Sequence, residues 1–137
     1  MADVAITVAN VVKGAGAQVT VGVAGVTITA GQSIYSDSTA AGVMKLTHAI
    51  TSAATAVATG IALHGALANQ PVAYITSGPF TCGGTLVAGK PYYVSGAVAG
   101  NICPVADLTT TWQPCSLGYA SSTTVLQVSI VPTGVTL

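Results

Sequence analysis

The chain has 137 residues, 51% of them apolar, with three Lys, three Asp, no Arg or Glu, and a net charge of zero. Soluble domains typically carry about 25% charged residues; here the figure is 4%, so Ser, Thr, Gly and Ala must cover the surface. Three lysines neutralise too few phosphates for a nucleic-acid interface, and a neutral surface lacks the repulsion that keeps monomers apart, so the composition points to a protein in contact with other protein.

In chain order, Val4, Ile6 and Val8 alternate with Asp3, Ala5 and Thr7, which predicts a strand with one apolar face. The opening "MADVAITVAN" has no basic n-region of a signal peptide. Val19, Val21 and Val23 alternate in the same way with Gln18, Thr20 and Gly22. The apolar set then changes parity to Val26 and Ile28, so Ala24-Gly25 reads as a bulge or turn. Residues 1–25 therefore read as an extended N-terminal arm without a strand partner in its own chain, and 26–137 as a single β domain. The Ala-rich link Thr47–Thr59 suits a helical turn. Ala49–Ala68 approaches membrane-spanning length, but it is broken by Thr, Ser, Gly and His64 and has no basic flank, so a membrane partner is not expected. Val72/Tyr74, Tyr92-Tyr93-Val94 and Leu126/Val128/Ile130 predict further strands between Gly-bearing turns. The link Asp107–Ser116 contains Pro114 and reads as irregular.

The chain also repeats itself. "TITAGQSIYSDSTAAG" (Thr27–Gly42) returns as "TLVAGKPYYVSGAVAG" (Thr85–Gly100), an offset of 85 − 27 = 58. Ala30/Ala88, Gly31/Gly89, Tyr35/Tyr93 and Gly42/Gly100 match without a gap, and Gly60-Ile61-Ala62 then falls on Gly118-Tyr119-Ala120. The reading is a mostly-β domain of two related halves, about 27–76 and 85–132, pairing around one core.

Chemistry-bearing residues are scarce. His48 and His64 are the only histidines, no G-x-S-x-G elbow is present, and three aspartates offer little for acid–base work, so an enzyme is not expected. His48 reads as a solvated loop residue and His64 as a partly buried strand residue. Cys82, Cys103 and Cys115 lack C-x-x-C spacing and read as small buried hydrophobes, with one intramolecular pair left open by the sequence. "KGAGAQ" and "CGGT" match neither phosphate-loop pattern and read as turns. No catalytic, metal or cofactor residues are assigned, and no small-molecule substrate. Candidate interface residues are Val4, Ile6, Val8, Val11 and Val12 of the arm, suited to strand addition, and Trp112 in its Pro-bearing loop.

The stretches "GIALHGALANQPVAYITSG" (Gly60–Gly78), "TLVAGKPYYVS" (Thr85–Ser95) and "LGYASSTTVL" (Leu117–Leu126) resemble the small capsid decoration, or cement, proteins of tailed bacteriophages, with the resemblance running roughly from Gly14 to Ile130. It implies a compact β-sandwich or barrel-like (β-tulip-like) domain without enzymatic activity. It further implies a homotrimer bound to the major capsid protein on the outer surface of the virion head, clamping neighbouring subunits. Members are often richer in charge than this chain, so electrostatic capsid contacts are not expected here. The alternative is a tail-fibre or receptor-binding β module, which shares the Thr/Gly/Ala-rich composition but would be expected to carry short fibre repeats.

Overall fold

The computed structural model describes residues 3–49 and 53–133; the extremities of the expected arm and domain, 1–2 and 134–137, lie outside the described residues. The protein is mostly β, 44% strand and 9% helix, with an antiparallel sheet curled into a half-barrel. The strands are β1 (Val12–Lys13), β2 (Gln18–Val23), β3 (Ser33–Asp37), β4 (Val43–Leu46), β5 (Gly60–Ala62), β6 (Pro71–Thr81), β7 (Pro91–Val94), β8 (Ile102–Pro104), β9 (Cys115–Ala120) and β10 (Val125–Pro132). A single helical turn, α1 (Ala53–Ala56), lies in the Ala-rich link. The main path through the sheet is β4-β3-β5-β6-β10-β9-β7-β8.

The internal repeat is visible in the ladders. Ile34 of β3 faces Leu46 of β4 and Gly60 of β5. Tyr92 of β7 faces Pro104 of β8 and Gly118 of β9, the same pairs displaced by 58 (34 + 58 = 92, 46 + 58 = 104, 60 + 58 = 118). Shared turn residues impose this geometry: Gly31 and Gly89 enter β3 and β7 with φ of 86° and 82°, a conformation that costs other residues strain. Beyond β5 and β9 the halves diverge. Eleven residues separate Ala62 from its partner Tyr74 (74 − 62 − 1), whereas five separate Ala120 from Leu126 (126 − 120 − 1). The second half closes with a tight hairpin where the first uses a longer link. The two halves join where β6 pairs with β10.

β6 organises both cores. Val72 and Tyr74 point into a smaller cluster with Ile28, Ile34 and Met44. Ile75 and Phe80 point into a larger one with Ile61, Leu117, Leu126, Val94 and Ile102. The side-chain face changes between Tyr74 and Phe80 because the β2–β6 register shifts by one residue between Gln18 and Val19, a bulge on the β6 side.

The N-terminal arm differs from the sequence expectation. Val12–Lys13 and Gln18–Val23 pair antiparallel with β6, so both segments belong to the sheet. Residues 4–7 form no ladder strand; Thr7 is extended, and a 3-10 turn follows at Val8–Asn10. Val4 N–H donates to Ile102 O at 2.8 Å and Thr7 N–H to Gly83 O at 2.8 Å. The physical reason is that Gly31, Gly83 and Gly84 lack side chains. A Cβ on Gly31 would lie 2.8 Å from Ile6, and one on Gly84 would lie 2.6 Å from the Ala5 carbonyl. The glycines thus leave a channel that residues 4–7 fill.

Candidate interaction surface

Two edges of the sheet contrast in how they are finished. At β8, Val4 N–H caps Ile102 O, and Asp3 fixes the approach: its carboxylate accepts from Ser95 Oγ at 2.8 Å and from Asn101 Nδ2 at 3.1 Å. Ser95 is fully buried, so this network satisfies a hydroxyl that would otherwise be costly.

At β2 the edge is open. β2 overlaps β5 along β6 at Tyr74–Ile75 and overlaps β10 at Ser77, so β5 and β10 must share the opposite side of β6. The peptide groups alternate. Ala24 N–H donates to Gln70 O, and Ala73 O accepts from Leu63 N–H on the β5 side, so even-numbered residues of β2 turn their peptide groups to β6. The N–H and C=O groups of Val19 and Val21 therefore point outward. Their side chains are solvent-exposed too, at 40% and 66%, as is Val23 at 47%. At the far end a parallel bridge between Ala24 and Met44 brings β4 alongside, which leaves Gln18–Gly22 open.

The six candidate residues separate into two groups. Val8 and Val12 are exposed, at 53% and 57%. Val11 and Trp112 are buried, and Val4 and Ile6 pack against the larger core, so these four serve the protein's own interior. Trp112 is held there because its indole lies against Gly96, where a Cβ would come within 2.5 Å of the ring. Alternation identified Val19, Val21 and Val23 as one face, but not that none of the described residues covers that face.

The polar residues are occupied structurally. His64 is exposed in a turn rather than partly buried on a strand: its Nε2 accepts from Ala73 N–H at 3.0 Å and its Nδ1 lies 2.8 Å from Gly65 O. His48 is half-buried, and its N–H donates to Thr55 O. Cys82, Cys103 and Cys115 are buried free thiols. Burial, and then the Asp3 and Asp107 carboxylates, push Cys103 up to about 12, and burial also raises Cys82 and Cys115, so none is a thiolate nucleophile near neutral pH. Among the described residues no group of three His, Cys, Asp or Glu could hold a metal. No helix among them is long and apolar enough to cross a membrane.

A depression of about 700 Å³ opens between Asp3–Ala5, Ala97–Val98 and Ala106–Trp112. No His, Lys or Cys lines it. Comparison with protein-family models, curated proteins and solved structures gave no match.

Proposed function

We propose that this protein is a structural component of a tailed-phage virion that decorates the outer surface of the head, where it binds the major capsid protein by apolar packing and steadies neighbouring subunits. The observation that carries the reading is a nearly chargeless β domain, 4% charged, that among the described residues leaves a dozen large hydrophobic side chains exposed, three of them on β2. Such a surface is suited to permanent contact with protein. The sequence resemblance to capsid decoration proteins supplies the partner and the expectation of a trimer on the shell.

The energetics favour contact over charge. Exposed ion pairs contribute about 0–1 kcal/mol each. Burying about 400 Å² of apolar surface at about 25 cal/mol per Å² gives roughly 10 kcal/mol before association costs. The experiment is imaging of purified particles carrying the tagged protein. Density over the head shell is expected. Density confined to the tail would replace this reading with the fibre or receptor-binding module.

A further inference from the structure

We propose that two copies of this chain associate through β2, edge to edge and antiparallel about a two-fold axis, so that one sheet runs across both molecules. The edges available to a second molecule are finished differently. Lys13 lies on β1 and Lys45 on β4, and charged residues of this kind discourage strand addition. The β8 edge carries the Val4 N–H on Ile102 O. β2 has none of these protections: no charged residue occurs between Lys13 and Asp37, and no proline lies in Gln18–Val23.

The edge is also complementary to itself. The outward peptide groups belong to Val19 and Val21, and antiparallel pairing about Thr20 sets Val19 of each copy opposite Val21 of the other. Each such pair exchanges two N–H···O bonds. The valines then form cross-strand β-branched pairs on one face, which is the favourable composition for a sheet. No like charges meet, because the edge carries none.

Geometry limits the strength and the number of copies. A six-residue strand spans about 20 Å at roughly 3.4 Å per residue. An edge of that length buries less than the roughly 800 Å² per partner of a standard stable interface. The pair is therefore expected to be reversible, with a dissociation constant on the order of micromolar. An isologous contact closes at two copies, so this contact is separate from the three-fold one expected on the shell.

Sedimentation velocity of the full chain, from about 1 to 500 µM, is expected to show a monomer–dimer equilibrium, with dissociation constants of that order. Val21→Lys places a charge on the edge, and Val21→Pro removes an outward N–H that β6 does not use. Each is expected to weaken the dimer by at least about tenfold, with far-UV circular dichroism unchanged. Hydrogen exchange on the unmodified chain is the second measurement, and it holds even where a variant fails to fold. Protection of the Val19 and Val21 amides should rise with concentration. A monomer at every concentration, a dimer indifferent to both folded variants, or exchange at Val19 and Val21 independent of concentration would overturn the proposal.

Discussion

Residues 4–8 and residues 18–23 carry the same alternating Val/Ile pattern, yet they end in different environments. In the first stretch Val4 and Ile6 pack on the core while Val8 is exposed, and Val11 just beyond it is buried at 9% exposure. In the second, every peptide unit lies along β6, and Val19, Val21 and Val23 still face solvent. The difference arises in the surroundings. Gly31, Gly83 and Gly84 open a channel for the first stretch, whereas among the described residues nothing covers the valines of the second. Period-two alternation reports that a strand has two faces; which face is covered is decided by residues far away in sequence.

The contrast can be broken most forcefully by deleting Met1–Ala9. The loss of two partly buried apolar side chains and two backbone hydrogen bonds is expected to cost about 3–4 kcal/mol, at roughly 1 kcal/mol for each. Urea unfolding should show the lower midpoint. An unchanged midpoint would mean that the segment is only laid on the domain.

Val11→Ala should cost about 1.5–2.5 kcal/mol, because its methyls fill the space beside Gly31 and Gly83. Val21→Thr should stay within about 0.5 kcal/mol, as expected of an exposed position that keeps its β-branch. If the two substitutions cost the same under dilute conditions, the distinction between a docked and an open stretch is lost.

The smallest expected effect is acidic. Lys45 and Thr39, hydrogen-bonded to the Asp37 carboxylate, lower its pKa from 3.8 to about 2. A depressed carboxylate contributes stability above its unfolded pKa and loses it as pH falls through the folded value. Melting temperature should therefore be flat from pH 5 to neutrality with respect to this group and decline slightly between about pH 4 and 2. Asp37→Asn should remove that portion of the acid slope. An identical slope in the variant would show that the pair contributes nothing to folding.

Much of the architecture was legible because the chain states it twice. The offset of 58 predicted that Tyr35 and Tyr93 occupy equivalent places, and they face Lys45 and Cys103 at matching registers. Strands at Val72/Tyr74, Tyr92–Val94 and Leu126–Ile130 followed from composition and period. The arm was misread because its partners, Gly83 and Ile102, are some eighty to a hundred residues away, and their fit depends on missing side chains. Trp112 was misread for the same reason: Gly96, which admits its ring, gives no signal of contact in the sequence. The exposed valines of β2 were located as a face but not placed as covered or open, since a buried and an uncovered valine are written alike.

Under the proposed capsid role, apolar contact and not charge would hold this protein to the shell. The most direct measurement is its occupancy on purified phage heads across a salt series. Between about 0.05 and 1 M NaCl the Debye length falls from about 14 Å to 3 Å, so a charge-based attachment would be screened away. Occupancy is predicted to stay level through the series. Progressive release of the full-length protein by salt would contradict the claim.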